Sequence, residues 1–250
     1  MFHLRQAVIV PMLVAATCAY AQLTDGLVGF WTFDEGNGDT TADASGLGNN
    51  GTFAGQPAWA PGHTGGAIEF DGGSEVVVED ADSLRLVTGV TIAVWAMPVE
   101  GQAAWAKFLI KQKSDEYPYS LQYDDAQGLI GTVHADARFD TSPHLANFPD
   151  EWAHLAMTYD GAAVVLYKDG VEVGRNDSAT GDLQQNDLPV SIGGRMGSSQ
   201  DFAGVLDEVY LWNRALGPDD IPKVMEGLAL AIDIAGKLTS TWADIKTDAR

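Results

Sequence analysis

Cysteine is almost missing from this chain of 250 residues, because the single one is Cys18. It lies in an N-terminal stretch in which Arg5 precedes the apolar run "AVIVPMLVAA", and "AYA" at positions 19–21 has the small-x-small pattern of a cleavage site. We therefore predict a signal peptide over residues 1–21 and a secreted, periplasmic or extracellular location. Without that cysteine the mature chain has no disulfides, so packing, hydrogen bonds or a metal must stabilise it.

Basic side chains are also scarce. The chain has 14 Lys and Arg against 35 Asp and Glu, which gives a net charge of −21. Such a surface repels nucleic-acid phosphates and anionic lipid, attracts cations and keeps the protein soluble. No stretch after residue 21 is long and apolar enough for a transmembrane helix. We therefore predict no nucleic-acid partner and no membrane insertion.

The sequence signatures of most enzyme classes are missing too. It contains no H-E-x-x-H, no G-x-S-x-G and no Walker loop. Four histidines outside the predicted signal peptide stand isolated: His63, His134, His144 and His154. A lone histidine on a strand is usually a packed or surface residue, so we predict no catalytic residue.

What the sequence has in abundance is short apolar runs separated by turn signals. Runs such as "VTIAVWAM", "WAHLAMTY" and "LIGTVHADARF" have the alternation of strands, and Asp169-Gly170 between two such runs is a hairpin signal. One helix is expected in "LGPDDIPKVMEG", between Pro218 and Gly227. We predict an all-β, two-sheet antiparallel jelly-roll sandwich over residues 22–227, a short C-terminal helix, and an extension over residues 228–250.

Four longer stretches add a family resemblance. They are, in order, "LVGFWTFDEGNGDTTADASGLGNNGT", "GGAIEFDGGSEVVVE", "DEWAHLAMTYDGAAVVLYKDGVEVG" and "FAGVLDEVYLWNRALGPDDI". Together they resemble the laminin-G-like branch of the concanavalin A-like lectin/glucanase superfamily, over roughly Leu27 to Gly227. The resemblance implies a jelly roll of two curved antiparallel sheets, with a convex back and a concave front.

The resemblance also implies a structural calcium ion that joins the N-terminal strand region to the C-terminal strand. Carried onto this sequence, the ligands are Asp34 of "WTFDEG", Gly72 of "FDGG" and Asp207 of "GVLDEV". Asp43 and Asn49 of "DASGLGNNG" are further candidates, although turn-forming hydrogen bonds explain them equally well. Ca²⁺ takes six to eight oxygen ligands, including backbone carbonyls, so ligands far apart in sequence can meet at strand ends.

The superfamily includes glucanases, which carry an E-x-D-x-E-type run on one strand, and this sequence has none. We therefore predict a non-catalytic recognition module that binds a polysaccharide or glycoconjugate. Alternation along the strands places polar and aromatic side chains on the faces opposite the core. The ligand-binding candidates are Trp95, Gln122, His134, Arg138, Trp152 and His154, and the loop residues Trp105, Tyr117 and Phe148 are candidates for the rim.

Two other functions remain open at this point. One is adhesion to an extracellular protein through the same loops, with calcium at the interface. The other is a glycoside hydrolase relative with unusual acids. An exposed aromatic floor favours a carbohydrate, an apolar patch at the loop rim favours a protein, and two facing acids in a groove favour an enzyme. Two sequons, at Asn50 and Asn176, matter only where secreted proteins are glycosylated.

Overall fold

The computed structural model of the protein describes residues 23–112, 117–124, 128–142, 150–195 and 197–227. They form sixteen strands and one short α-helix. The strands are β1 Leu27–Trp31, β2 Thr40–Thr41, β3 Gly51–Ala54, β4 Ala58–Pro61, β5 Gly66–Asp71, β6 Glu75–Val78, β7 Val90–Pro98, β8 Ala106–Lys111, β9 Tyr119–Asp124, β10 Gly128–His134, β11 Arg138–Asp140, β12 Ala153–Tyr159, β13 Val164–Lys168, β14 Val171–Asn176, β15 Val190–Ile192 and β16 Ala203–Trp212. The helix, α1, is Ile221–Met225, and Asp82–Leu84 form a single 3₁₀ turn.

The strands form two sheets of eight. Sheet A has the order β14-β13-β12-β7-β16-β5-β4, with β1 also paired to β16, and sheet B has the order β11-β10-β9-β8-β15-β6-β3-β2. Every strand pair is antiparallel. The predicted all-β sandwich with a short C-terminal helix is confirmed.

The core lies between the sheets and is filled by alternate residues of their strands. In β12, Leu155, Met157 and Tyr159 belong to the core cluster, as the alternation in the sequence predicts. In β9, Tyr119 and Leu121 belong to it as well. The residues between them therefore point to the outer face of each sheet, which is where the candidate ligand residues were expected.

Two turns in the structure bear on predictions made from the sequence. The Asp169-Gly170 hairpin is confirmed: it joins β13 to β14, and both residues have positive φ, 51° and 78°, as a type I′ turn requires. The run "LIGTVHADARF" was predicted as one strand, which is wrong. It forms β10 and β11, joined by a tight turn in which the N–H of Ala135 donates to the carbonyl of Ala137. This turn contains neither Gly nor Pro, so the sequence pattern does not show it.

The predicted helix is shorter than its sequence signals suggest, since α1 begins at Ile221 rather than at Pro218. The compact unit that contains all these elements is Gly26–Met225. The predicted signal peptide and C-terminal extension lie outside the described residues. In the described part of the chain, no helix is long and apolar enough to cross a membrane.

Strand β16 is paired on both sides and contains a bulge that shapes the site described below. On one side β7 pairs with it along nearly its whole length, and the register shifts between Asp207 and Tyr210. On the other side β5 pairs with 203–206 and β1 with 209–212. Strands β1 and β5 therefore follow one another along the same edge of β16, and neither pairs with Asp207 or Glu208.

One glycine gives a direct test of how tightly the two sheets pack. Gly193 follows β15 with φ of 78°, and a Cβ atom there would lie 2.2 Å from Cε1 of the buried Phe70 ring. Gly101 has almost the same φ, 79°, with no atom within 4 Å of its Cβ position. Both Ala variants carry the cost of a left-handed backbone, about 1–2 kcal/mol, but only Gly193→Ala adds overpacking of about 1–3 kcal/mol. Urea unfolding of both variants measures the difference, and equal losses of stability would contradict the packing at Phe70.

Candidate functional site

The unpaired stretch of the β16 edge gathers three carboxylates. We call this region the β16 gap and define it by Asp34, Asp207, Glu208 and the turn Gly62–Gly65. Asp34 follows β1 and the turn precedes β5, so the arrangement of those strands brings both to the gap. Phe33 and Glu208 have positive φ, 56° and 50°. Such a backbone is rare for residues other than glycine, and strained residues of this kind cluster at functional sites.

The carboxylates of the β16 gap hold the turn in place. The N–H of Thr64 donates to Oδ2 of Asp207 at 2.9 Å, and the N–H of Gly66 donates to Oδ1 of Asp34 at 2.8 Å. A Cβ atom on Gly62 would lie 2.6 Å from Oδ2 of Asp207, and one on Gly65 would lie 2.2 Å from Oδ1 of Asp34. The turn "GHTG" thus needs glycine on either side of His63-Thr64 to approach the two acids.

The acids at the bulge are buried, and one oxygen atom has no partner. Asp207 is 0% exposed, and its Oδ1 accepts no hydrogen bond in the described part of the protein. Burial raises the pKa of Asp207 to about 7, and the negative charges of Glu208 and Asp34 act in the same direction. Burial likewise raises the pKa of Glu208 to about 7, opposed by a hydrogen bond from the hydroxyl of Tyr210. A cation at the gap would relieve both effects, because its positive charge favours the ionised forms.

The residues of the β16 gap therefore supply some, but not all, of the ligands that a hard cation needs. Among the described residues, no group of three or more His, Cys, Asp or Glu side chains is arranged to hold a metal ion. A cation bound by Asp34 and Asp207 would need backbone carbonyls or water for its other ligands, which is compatible with Ca²⁺ and less so with Zn²⁺. The buried, unpartnered Oδ1 of Asp207 is the atom that most clearly lacks a ligand.

Two of the predicted metal ligands form hydrogen bonds with their own turn and with β1 instead. The carboxylate of Asp43 accepts four hydrogen bonds of 2.7–3.0 Å, from the N–H groups of Phe30, Ser45 and Asn49 and from the Ser45 hydroxyl. These fill the approximately four acceptor sites of a carboxylate. The amide of Asn49 donates to the carbonyl of Val28 at 2.7 Å. Hydrogen bonds within the turn and to β1 therefore account for both side chains without a metal.

The third predicted ligand, Gly72, is not near the other two. It follows the last residue of β5, whereas Asp34 contacts the first residue, Gly66. Six extended residues separate the two ends by roughly 20 Å. At its own end, Gly72 lies in the turn in which Oδ1 of Asp71 accepts a hydrogen bond from Gly73. The structure thus brings Asp34 and Asp207 together and leaves Gly72 apart from them.

An aromatic cluster lies beside the β16 gap on the outer face of sheet A. Trp95 of β7 pairs in register with Asp207 on one side and with His154 on the other. The His63 ring stacks on Trp95, with centroids 3.6 Å apart and planes 10° apart. Trp152 meets the His63 ring edge-on at 5.9 Å. The turn that contacts Asp207 and Asp34 therefore also covers one face of Trp95.

His154 is the most isolated polar side chain of this cluster. It is 0% exposed, and neither ring nitrogen has a hydrogen-bond partner among the described residues. Burial lowers the pKa of His154 to about 4, the charge of His63 acts in the same direction, and Asp169 opposes it. His154 is therefore a neutral, packed side chain at neutral pH, which is not the state expected of a ligand-binding group.

The outer face of sheet B holds a connected polar network. We call the part of it around Arg138 the front patch and define it by Trp105, Tyr117, Gln122, Arg138 and Asp140. The Tyr117 hydroxyl donates to Oε1 of Gln122 at 3.2 Å, and Nε of Arg138 donates to Oδ1 and Oδ2 of Asp140 at 3.0 and 3.1 Å. Thr132 connects the two halves, with hydrogen bonds of 3.2 Å from Gln122 and 2.6 Å to Asp140.

Arg138 lies among the aromatic rings of the front patch. Its Cζ is 5.6 Å from the centroid of the half-buried Trp105 and 5.7 Å from that of the buried Tyr117. Its side chain is 37% exposed. An aromatic ring and a rigid guanidinium at the surface, above a buried hydrogen-bond network, can bind a ligand that has both apolar faces and hydroxyl groups.

The six predicted ligand residues thus divide between two faces of the sandwich. Gln122, His134 and Arg138 lie on sheet B, with His134 paired in register to Arg138. Trp95 and His154 lie on sheet A, with Trp152 next to β12. Alternation in the sequence predicts the face of each strand correctly but does not say which sheet a strand joins. Phe148, the third rim candidate, lies outside the described residues.

Several residues of both regions were not identified from the sequence. In the β16 gap these are Glu208 and the turn with His63 and Thr64, and in the front patch they include Asp140. The glycines of "PGHTGG" signal a turn but not its acidic partners. Arg138 and Asp140 stand two residues apart in "RFD", so the strand period alone would place them on one face.

Part of the chain matches a known protein family. A family model described as the concanavalin A-like lectin/glucanases superfamily matches residues 70–222. Pappalysin-1 of Mus musculus is 27% identical over 139 residues, which are 54% of this chain and 8% of that protein. The chain therefore spans less than a tenth of the length of this relative.

Solved structures share the fold at low sequence identity. Domain 4 of AbnA, a GH43 extracellular arabinanase from Geobacillus stearothermophilus, in complex with arabinotriose, gives a TM-score of 0.65 at 21% identity, over 79% of this chain and 97% of that one. The binding domain of Paraclostridial Mosquitocidal Protein 1 gives a TM-score of 0.67 at 16% identity, over 81% of this chain and 52% of that one. The binding domain of Botulinum Neurotoxin DC in complex with SialylT gives a TM-score of 0.62 at 13% identity, over 82% of this chain and 52% of that one.

The buried His154 predicts a specific pH dependence of stability. Between pH 6.5 and about 4, the unfolded chain binds a proton at this residue that the folded protein excludes, so stability falls as the pH falls. The difference in pKa corresponds to roughly 3 kcal/mol. Asp207 and Glu208 act in the opposite sense, since their raised pKa favours the folded state as the pH falls from about 7. The effect of His154 is therefore isolated by comparing the wild type with His154→Gln.

Urea unfolding of both proteins at pH 6.5, 5 and 4 provides the measurement. We expect the free energy of unfolding of the wild type to decline relative to that of His154→Gln by roughly 3 kcal/mol across this window. His134→Gln serves as a second histidine variant, on the other sheet. Parallel curves for the wild type and His154→Gln would show that folding does not lower the pKa of His154.

Proposed function

This chain belongs to the concanavalin A-like lectin/glucanases superfamily, and from that premise we propose that it is a non-catalytic carbohydrate-binding module. The ligand binds at the front patch, and a calcium ion in the β16 gap stabilises the fold. The observation that carries the proposal is the position of Arg138 beside Trp105 and Tyr117, at the end of a buried hydrogen-bond network. We further propose that the protein acts outside the cytoplasm, since its first 21 residues have the pattern of a signal peptide.

Relatives of the same fold support a carbohydrate as the ligand. One of the solved structures is a domain in complex with arabinotriose, and another is a binding domain in complex with SialylT. Sugars have hydroxyl edges and apolar C–H faces, so they need hydrogen-bonding groups next to a flat ring. Trp105, Arg138 and Asp140 provide this combination at the surface of sheet B.

Two alternative functions fit the site less well. A glycosidase needs two carboxylates that reach the glycosidic bond. Asp207 and Glu208 have raised pKa values, but they are 0% and 5% exposed, and Asp207 is bonded to the turn at Thr64, so a polysaccharide cannot reach them. Adhesion to a protein favours an apolar rim. Here Trp105 is next to the charged side chains of Arg138 and Asp140, which favours a polar ligand.

The first test compares two half-buried tryptophans on opposite faces. The purified protein is screened on a glycan array that includes arabinotriose, and affinities for the glycans that bind are then measured by calorimetry. We expect Trp105→Ala to weaken binding at least about tenfold, because a sugar loses its aromatic contact. Trp152→Ala, on the outer face of sheet A, is the matched control and should bind like the wild type. If Trp152→Ala weakened binding and Trp105→Ala did not, the site would lie on sheet A. Failure of every glycan to bind would refute the proposal.

The second test concerns calcium. An ion that binds the folded state alone stabilises it by RT ln(1 + [Ca²⁺]/Kd), about 2.7 kcal/mol at a hundredfold excess over Kd. We expect the melting temperature to fall when EDTA removes calcium, and Asp207→Asn to abolish most of this response. Asp43→Asn is the control: it removes acceptors from the turn and lowers stability, but the shift caused by EDTA should persist. A wild-type midpoint that EDTA does not change would rule out calcium in the β16 gap.

A further inference from the structure

Arg138 is bonded within the described protein through only one edge of its guanidinium. Its Nε edge is occupied by both carboxylate oxygens of Asp140, at 3.0 and 3.1 Å, and its position is further restricted by the rings of Trp105 and Tyr117. Within the described residues, the terminal atoms Nη1 and Nη2 donate no hydrogen bond. Since the side chain is 37% exposed, these two groups are available to a ligand.

The other arginines in the described part of the chain are different. Each uses at least one terminal nitrogen in a bond to its own chain. These bonds join Arg85 to Asp80, Arg175 to Glu172 and Asp177, Arg195 to Gln200, and Arg214 to the carbonyl of Ala215. The chain has 35 acidic side chains against 14 basic ones, so carboxylate partners are abundant. An arginine that is fixed in place and has both terminal nitrogens without a hydrogen bond is therefore the exception among the five described arginines.

A second cation lies beneath the same aromatic ring. Nζ of Lys107 is 5.0 Å from the centroid of Tyr117, and it donates a hydrogen bond to Oε1 of Gln122. Lys107 is only 1% exposed. Two of the few basic side chains of the protein thus converge on one ring, which makes the front patch less negative than the average surface of a chain with net charge −21.

The open edge of a fixed guanidinium has a preferred partner. Two parallel N–H groups match the two oxygen atoms of a carboxylate or of a sulfate ester, and such bidentate, charge-assisted pairs are among the strong hydrogen bonds in proteins. Neutral sugar hydroxyls can accept from the same groups but gain less. Asp140 occupies the Nε edge alone, so it orients the guanidinium without blocking the terminal nitrogens, and we regard it as a positioning residue.

We propose that the ligand of the front patch is an acidic sugar, whose carboxylate or sulfate oxygens accept hydrogen bonds from Nη1 and Nη2 of Arg138. The ring of the sugar packs beside Trp105. This inference rests on the proposed function, because it specifies the class of carbohydrate that the front patch takes.

The test uses pairs of glycans that differ only in charge. Oligogalacturonate, sialyllactose and chondroitin sulfate are each compared with their methyl-esterified or desulfated forms, and arabinotriose is added as a neutral sugar. We expect at least one acidic form to bind about 10–100-fold more tightly than its neutral counterpart. The preference should weaken as salt rises from 50 to 300 mM, and the acid that binds identifies the group as carboxylate or sulfate.

Variants then assign the preference to Arg138. Arg138→Gln should remove the preference for the acidic glycan. Arg138→Lys should retain only part of the preference, since an ammonium keeps the charge but loses the two parallel donors. Asp140→Asn should reduce the preference by releasing the Nε edge. Arg175→Gln, whose terminal nitrogens are engaged on sheet A, is the matched control and should bind like the wild type.

The outcomes separate this inference from the proposed function. Equal affinity for charged and neutral forms, or a preference that survives Arg138→Gln, would overturn the acidic-sugar inference while carbohydrate binding stands. Failure of every glycan to bind, the neutral ones included, would overturn the proposed function itself. The comparison of ligand pairs on the wild type keeps the inference testable even if Arg138→Gln fails to fold.

Discussion

The bulge in β16 is the constraint on which the arrangement of this protein depends. Because the register shifts between Asp207 and Tyr210, β5 and β1 can pair with successive halves of the same edge. Between them, on this edge, Asp207 and Glu208 have no paired strand, and their carboxyl groups are buried. Unpaired buried charge is costly, so something must compensate it. The N–H of Thr64 compensates one oxygen, and the proposed calcium ion compensates the other.

This constraint extends to the neighbouring strands of sheet A. The turn that approaches Asp207 and Asp34 also carries His63 onto Trp95, and Trp95 separates Asp207 from the buried His154. The outer face of sheet A at this point is therefore occupied by the protein itself. Sheet B has the half-buried Trp105 and the partly exposed Arg138 and Asp140 on the other face. The molecule thus separates the region that stabilises it from the region that we propose binds the ligand.

Parts of this arrangement could be predicted from the sequence, and physical reasons explain the rest. Alternation predicts correctly that Leu155 and Met157 enter the core, because the strand period fixes the two faces of a strand. It does not predict that Trp95 and Gln122 lie on different sheets, since strand order depends on long-range pairing. The closeness of Asp34 and Asp207 was expected from the family resemblance rather than from spacing. Gly72 was misplaced because a strand of six residues separates its turn from the β16 gap.

Diffraction from crystals of the protein grown with calcium tests the central claim most directly. An anomalous difference map should show a peak bonded to Oδ1 of Asp207 and to the carboxylate of Asp34, at about 2.3–2.6 Å from each. The turn with Thr64 should remain in contact with Asp207. A map without an anomalous peak, in which a water molecule or a protein N–H donates to Oδ1 of Asp207, would contradict the account.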